Sequence, residues 1–161
     1  MVAAVSVVAR AGPSGPASEL ADLIHHVVRS SLHRLHPTLE EEGITMGQFW
    51  ALHLVSALAG ASVGGVARHL GVSAPTACAS LDQLETAGLV RRHRSERDRR
   101  SVVLSVTPRG RRVEARVWAE VARLMAGASE GVSTDDLAVT VRVFRELAGR
   151  LAAPGAPPEG P

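Results

Sequence analysis

Hydrophobic residues recur at steps of three and four along much of the chain, which is the spacing of one face of an α-helix. The pattern predicts a first helix over about residues 18–36, with Ser18 capping its start and Pro37 ending it. Its apolar face is formed by Leu20, Leu23, Ile24, Val27, Val28 and Leu35. Residues 1–17 and 153–161 lack this pattern and are expected to be a disordered leader and a disordered tail.

Two short helices separated by a tight turn are predicted in the middle of the chain. A second helix starts at the capping residue Thr45, and a third follows Ser62 and stops at Gly71. A fourth helix opens at Ser73 and runs to about Ala87. The third and fourth helices with the turn between them have the layout of a helix-turn-helix.

The periodicity changes after the fourth helix. Residues 89–94 and 101–106 alternate as two short strands, and the charged residues 95–100 join them in a hairpin that would form a wing. Thr107 and Pro108 then open a fifth helix to about residue 126, and Ser133 opens the last helix. The predicted fold class is therefore mainly α with a small β-hairpin, a winged helix-turn-helix.

Composition narrows the class of protein. Aromatic residues make up only 2% of the chain, which suits a core of Leu, Val and Ala in packed helices. The single cysteine, Cys78, excludes an intramolecular disulfide and fits a cytoplasmic protein. No apolar run approaches the roughly 20 residues of a membrane span. Neither a Gly-rich phosphate loop nor a nucleophile paired with a base is evident, so we do not expect an enzyme.

Charge is concentrated around the predicted hairpin. Residues 91–112 contain nine arginines against Glu96 and Asp98, a local net charge of +7 in a chain whose total is +2. A basic segment on an otherwise acidic body is typical of a surface that binds a polyanion such as DNA.

Four sequence segments, in this order, resemble the multiple-antibiotic-resistance regulator (MarR) family. They are residues 45–52 (TMGQFWAL), 66–73 (VARHLGVS), 81–90 (LDQLETAGLV), and 97–100 (RDRR) followed by 104–110 (LSVTPRG). The resemblance spans about residues 18–152. It implies a homodimer held by helices at about 18–36 and 108–152, with a DNA-binding lobe at about 45–107. It also implies a transcriptional regulator of the repressor type that reads a pseudo-palindromic operator with half-sites about 10 bp apart.

The fourth helix is the expected recognition helix. Ala77, Leu81 and Leu84 share the stripe expected to face the core. The side chains left for the DNA groove are those of Ser73, Pro75, Thr76, Ala79, Ser80 and Gln83. Many similar proteins carry an arginine where this chain has Ala79, so direct guanine readout from this helix is expected to be weak. Affinity should come mainly from phosphate contacts.

The wing supplies the positive charge. Arg97 and Arg99 lie at its tip, where similar proteins insert an arginine into the minor groove, and Asp98 and Arg100 match the family's D-x-R pair, whose aspartate orients a neighbouring arginine. Arg68 and Arg94 are candidate phosphate contacts, with ordinary surface charge as the alternative.

Similar proteins also bind a small, often aromatic anion between the dimer helices and the DNA-binding lobe. The candidate lining residues here are His33, Trp50 and His53, with core packing as the alternative for Trp50. This first hypothesis, a regulator that responds to a small molecule, requires no cofactor.

A second hypothesis is a zinc-responsive regulator that uses first-helix histidines such as His33 and His36 with Glu40–Glu42. Cys78 is expected to be a small buried hydrophobe. A third hypothesis is a winged-helix module for protein interaction or DNA architecture.

Overall fold

The computed structural model describes residues 15–58, 60–94 and 102–152 of the 161. Six helices and one two-stranded antiparallel sheet lie within these ranges, in the order α1 (Pro16–Glu41), α2 (Met46–Ala57), α3 (Val63–Leu70), α4 (Ala74–Thr86), β1 (Val90–Arg94), β2 (Val102–Val106), α5 (Pro108–Ala128) and α6 (Thr134–Ala152). The predicted class, mainly α with a β-hairpin, is confirmed. Most of the predicted leader and all of the predicted tail, residues 1–14 and 153–161, lie outside the described ranges.

Helix α1 is longer than the prediction at both ends. It begins at Pro16 rather than at a cap formed by Ser18, and it continues through Pro37 to Glu41. Leu35 and Leu39, on either side of Pro37, are only 5% and 4% exposed. Burying two leucines on one helix face offsets a backbone hydrogen bond lost at the proline, which explains why Pro37 does not end the helix. The turn that follows is made by Gly43, whose φ of 68° is left-handed.

The helix-turn-helix is built as predicted, and its helices are capped by the expected side chains. The Thr45 hydroxyl accepts a hydrogen bond from Gln48 N at 3.2 Å, and Ser62 Oγ accepts one from Gly65 N at 3.2 Å. Ser73 Oγ accepts one from Thr76 N at 3.3 Å. Gly71 adopts a left-handed φ of 65° between α3 and α4, a conformation that glycine adopts without a steric penalty.

One hydrophobic core joins α2, α3, α4 and the sheet to the first half of α5. The side chains of Phe49, Leu52, Val66, Leu81, Leu84, Leu89, Val90 and Val117 are almost fully buried. Ala77, Leu81 and Leu84 of α4 are at most 1% exposed, which confirms the predicted core stripe of that helix. The opposite side of α4 is thereby directed away from the core.

The sheet, in which Val90 of β1 pairs with Val106 of β2, contacts the rest of the first unit at two points. At the first point, Leu104 N donates a hydrogen bond of 2.8 Å to the carbonyl oxygen of Ala61, between α2 and α3. The first turn of α5 lies against the chain that enters β1, because a Cβ built on Gly110 would be 2.2 Å from the carbonyl oxygen of Leu89. Glycine at position 110 therefore permits the close approach that places the sheet beside α5.

The chain divides into two compact units, Met1–Ala122 and Arg123–Pro161. The first contains the helix-turn-helix, the sheet and most of α5, and the second contains the end of α5 and all of α6. Helix α6 starts at the predicted cap, with Ser133 Oγ accepting from Asp136 N at 3.1 Å. None of the helices in the described ranges is both long and apolar enough to cross a membrane. The domain limits predicted from the sequence stay predictions.

Candidate nucleic-acid interface

The outer face of α4 presents most of the side chains that the sequence assigned to a DNA groove. Ser73, Pro75, Thr76, Ala79 and Gln83 are exposed, and Ser80 is half-buried. They are directed outward because the opposite stripe of the helix is anchored in the core. The structure therefore brings the six candidate residues together on one helix face.

Two of the polar groups on this face are already engaged in capping the helix. Ser73 Oγ accepts from Thr76 N, and its hydroxyl also lies 2.7 Å from Thr76 Oγ1. A hydroxyl can donate one hydrogen bond and accept two, so both side chains keep part of their capacity for a base or a phosphate. The capacity of this helix to bind a base, expected to be weak, is therefore reduced further in its first turn.

Gln83 makes a contact that sequence spacing does not reveal. Its Oε1 accepts a hydrogen bond of 2.5 Å from Nε2 of Gln48, which belongs to the first turn of α2. The two residues are 35 positions apart. The groove face of α4 is consequently tied to the start of α2 through one amide pair.

Arg92, on β1, faces α4 instead of solvent. Its Nη1 lies 2.6 Å from carboxylate oxygens of both Asp82 and Glu85, and its backbone N donates to Glu85 Oε1 at 3.0 Å. Burial alone would lower the pKa of Arg92, but the hydrogen bonds to Asp82 and Glu85 outweigh it, so the pKa is raised. Two carboxylates neutralise this guanidinium, and Arg92 joins the sheet to the recognition helix.

Cys78 lies beside this ion pair and is not the small buried hydrophobe that we expected. It is half-buried, its Sγ is 3.7 Å from Asp82 Oδ2, and Arg92 Nη2 is 3.9 Å from Sγ. Its position on the flank of α4, rather than on the stripe of Ala77 and Leu81, accounts for the difference.

Three other arginines of the basic segment are bound to neutral acceptors of the same chain. Arg91 Nε donates to Ser105 Oγ at 3.0 Å, Arg109 Nη1 to the carbonyl oxygen of Ala87 at 2.7 Å, and Arg111 Nη1 to that of Val106 at 3.1 Å. Neutral acceptors leave the guanidinium charge in place. These arginines are therefore held in position while they remain positively charged.

Arg68 on α3 and Arg94 at the end of β1 are exposed and have no carboxylate partner among the described residues. Their role as phosphate contacts stays a prediction. Arg97, Asp98, Arg99 and Arg100 lie outside the described residues.

Trp50 and His53 belong to an aromatic cluster formed with Phe49 and Trp118. The ring centroids of Trp50 and Trp118 are 6.1 Å apart, and those of His53 and Trp118 are 5.3 Å apart. His53 Nδ1 is hydrogen-bonded to Glu114 Oε1 at 2.8 Å. Trp50 is 40% exposed, so it is not an ordinary core residue. Sequence reasoning missed Glu114 and Trp118 because α2 and α5 meet only in the fold.

His33 lies elsewhere, in a cavity of about 340 Å³ beside the second half of α1. The cavity is lined by Leu32, His33, His36, Leu39, Glu40, Ile44, Thr45 and Met46. Trp50 and His53 are not among these residues, so the three predicted ligand contacts fall at two places. The lining of the cavity is largely aliphatic, with two imidazoles and one carboxylate as its charged or titratable groups.

The histidines of α1 do not assemble a metal centre in the part of the chain that the structure describes. His36 Nε2 is 3.6 Å from Glu40 Oε1, but no group of three His, Cys, Asp or Glu side chains placed to share an ion occurs among the described residues. Glu41 and Glu42 instead bind Arg116 of α5, with Glu42 Oε1 at 2.6 Å from Arg116 Nη1.

The chain is similar to a known protein family and to several solved structures. Residues 42–101, from the end of α1 through the segment between β1 and β2, match the model of the MarR family. A MarR family protein from Bacillus stearothermophilus has 25% sequence identity and a TM-score of 0.76, over 84% of this chain and 94% of that one.

Two ligand-bound structures share the fold. MarR from Staphylococcus aureus, in complex with salicylate and kanamycin, has 23% identity and a TM-score of 0.73 over 86% of this chain and 94% of its own. CouR from Rhodococcus jostii RHA1, bound to p-coumaroyl-CoA, has 24% identity and a TM-score of 0.71 over 90% of this chain and 99% of its own. The likeness in fold therefore concerns most of the chain.

Proposed function

Because the chain belongs to the MarR family of winged helix-turn-helix transcriptional regulators, we propose that it is a homodimeric repressor whose hold on a pseudo-palindromic operator is released by a small molecule. The observation that carries the proposal is the outer face of α4, where the predicted groove residues lie together beside the root of an arginine-rich hairpin. A regulator of this kind acts where the DNA is, so we assign it to the cytoplasm.

The DNA contacts divide into two kinds. The outer face of α4 enters the major groove and reads bases with Ser73, Thr76, Ser80 and Gln83, while Pro75 and Ala79 make apolar contacts. The hairpin binds the backbone and the minor groove through Arg94, Arg97, Arg99 and Arg100, with Asp98 orienting a neighbouring arginine. Arg68 adds a phosphate contact from α3. Because so few strong base readers are present, phosphate contacts dominate the affinity.

Exposed apolar surface supports the dimer. Leu23, Ile24, Val27, Val28 and Leu32 on α1 are between 36% and 51% exposed. Within the second unit, α6 exposes Val139, Val141, Val143, Phe144 and Leu151. A monomer would leave these stripes in water, whereas a dimer with two recognition helices would cover them and engage half-sites about 10 bp apart.

The effector is proposed to be an aromatic anion. One ligand-bound protein of this fold holds salicylate together with kanamycin, and the other holds p-coumaroyl-CoA. Salicylate and p-coumaroyl-CoA both combine an aromatic ring with negative charge. Two places on this chain offer suitable contacts: the cavity that His33 lines, and the exposed edge of the cluster that contains Trp50 and His53. Both put an imidazole beside apolar side chains, which suits a ligand with one charged end.

Selection of bound duplexes from a random pool tests the proposal directly. The wild-type protein should recover a two-fold symmetric motif, and the double variant Arg97→Glu/Arg99→Glu should lose binding to it. Matched thermal melting of the two proteins controls for folding. Recovery of no motif, or undiminished binding by the double variant, would refute the proposal and favour a protein-interaction or architectural module.

A further inference from the structure

Three residues form a hydrogen-bonded path from the start of α2 to the outer face of α4. Thr45 N donates to Gln48 Oε1 at 2.7 Å, and Gln48 Nε2 donates to Gln83 Oε1 at 2.5 Å. Gln48 therefore does two things at once. It completes the capping box of α2, and its other amide atom holds the side chain of Gln83.

The backbone N–H of Thr45, at the start of this path, fixes the orientation of both glutamine amides. A backbone N–H can only donate, so the atom of Gln48 that meets Thr45 N must be the amide oxygen. The atom of Gln48 that meets Gln83 is then the amide nitrogen, which also can only donate, so Gln83 must face it with Oε1. The usual ambiguity between the two ends of a glutamine amide is resolved here by the network itself.

The side-chain amide of Gln83 is therefore held in one of its two orientations. With Oε1 held by Gln48, Nε2 is left as the end of the amide that can turn outward. Gln83 is exposed on the face of α4 assigned to the major groove. A glutamine that is free to rotate could offer a base either a donor or an acceptor, but this one offers a donor.

We propose that Gln48 is a specificity-determining residue that never needs to touch a base: it orients Gln83 so that the recognition helix presents an amide donor to DNA. The inference rests on the proposed function, because it requires α4 to lie in the major groove. Guanine offers two adjacent acceptors in that groove, N7 and O6, whereas cytosine offers only the donor of its amino group. Adenine N7 and thymine O4 are single acceptors, so the donor of Gln83 favours guanine over these two bases and rejects cytosine.

The bond between the two glutamines is not required to hold the fold together. Helix α4 is anchored by Leu81 and Leu84, which are fully buried, whereas Gln83 is exposed. A hydrogen bond at the surface contributes little to stability because water competes for both partners. Its effect here is directional, since it selects one of two orientations of the same side chain.

The substitution Gln48→Glu reverses the polarity without removing the cap. Glutamate is a regular member of a capping box, so its carboxylate still accepts from Thr45 N. A carboxylate has no hydrogen to donate. Gln83 must then rotate its amide by half a turn, donate through Nε2 to the carboxylate that replaces the Gln48 amide, and present Oε1 to the DNA.

Selection from a random duplex pool with the full-length wild type and Q48E measures the outcome. In the wild-type motif, one position in each half-site should be guanine. In the Q48E motif the same position should change to a base with an amino donor, cytosine or adenine, with relative affinity shifting roughly two- to tenfold, the worth of one exchanged hydrogen bond.

A second pair of proteins separates orientation from charge. Q83A and Q83A/Q48E differ by the same negative charge as the wild type and Q48E do, but both lack the Gln83 amide. Neither should discriminate among bases at that position, and Q48E should cause no change of base preference in this background. A change of preference that persists without Gln83 would overturn the proposal.

The failures of the two proposals are distinguishable. Absence of any selected motif for the wild type counts against DNA reading altogether. A clear wild-type motif that Q48E leaves unchanged, even with reduced affinity, would contradict the orienting role of Gln48 and put Gln83 on a phosphate instead.

Discussion

Two arginines of β1 that are two positions apart should respond differently to the same substitution: one should change DNA binding and the other should change stability. Arg94 is exposed without a carboxylate partner among the described residues, whereas Arg92 is bound between Asp82 and Glu85. In the sequence, both are arginines of the same basic segment, so charge alone does not distinguish them. Among the described residues two carboxylates engage Arg92 and none engages Arg94, so Arg94→Gln and Arg92→Gln form a matched pair.

The expected magnitude for Arg94 follows from counterion release. Each phosphate neutralised by a protein contributes about 0.9 to the slope of log K against log salt concentration. A dimer carries two copies of Arg94, so Arg94→Gln should reduce the slope by about 1.8. Between 50 and 200 mM salt, the variant should lose roughly tenfold less affinity than the wild type does.

Arg92→Gln should change stability more than it changes the slope. The guanidinium is only 25% exposed, but Asp82 and Glu85 are 56% and 38% exposed, so solvent screening limits the value of the ion pairs. We expect a loss of about 1 kcal/mol in the free energy of unfolding, seen as a fall of a few degrees in Tm. The slope should fall by well under 1, because Arg92 does not neutralise a phosphate.

Fluorescence anisotropy titrations of a labelled operator at four or five salt concentrations provide the slopes, and thermal melting provides the stabilities. Equal slope changes for the two variants would refute the assignment. That result would mean that Arg92 leaves its two carboxylates when DNA binds, and that the ion pairs of the free protein do not persist in the complex.

Three further substitutions test the packing, a cap and the dimer. Gly110→Ala should lower Tm by several degrees, because a Cβ there would meet the carbonyl oxygen of Leu89 at 2.2 Å and overpacking of this kind costs about 1–3 kcal/mol; an unchanged Tm would show that α5 moves away freely. Ser62→Ala should cost about 1 kcal/mol in a urea melt by leaving Gly65 N without its cap, and a neutral result would mean that water replaces the hydroxyl. Val27→Asp, at a side chain 50% exposed on α1, should convert the dimer to a monomer in sedimentation velocity and abolish tight operator binding, whereas a persistent dimer would move the interface off this helix.

The ends and the buried faces of individual helices were predictable, because capping residues and apolar spacing lie within the helix itself. The caps Thr45, Ser62 and Ser73 and the left-handed Gly71 lie at the ends of helices whose apolar spacing is visible in the sequence. The core stripe of α4 was also predictable, because Ala77, Leu81 and Leu84 recur at steps of four and three. The prediction that Pro37 ends α1 was wrong because the burial of Leu35 and Leu39 outweighs a local rule.

The candidate site was predictable in part. Spacing on one helix assigned the outer face of α4, but it could not show that Arg92 is neutralised by that helix or that Gln83 is held by Gln48. The family resemblance assigned His33, Trp50 and His53 to one ligand site, and the fold separates His33 from the other two. Each of these contacts joins residues from different elements, and no period within one element records them.

Taken by itself, the sequence determined which segments are helices and strands, which face of each is apolar, and where positive charge accumulates, because these depend on neighbours within a few residues. Which of the described arginines have a carboxylate partner was decided only in the tertiary structure. Arg92 and Arg94 are the same residue type in the same segment. They differ because two carboxylates of α4 lie beside Arg92 and not beside Arg94. The same holds for Gln83, whose donor and acceptor ends are distinguished only by a partner 35 residues away, since a hydrogen bond depends on distance and direction in space and not on separation along the chain.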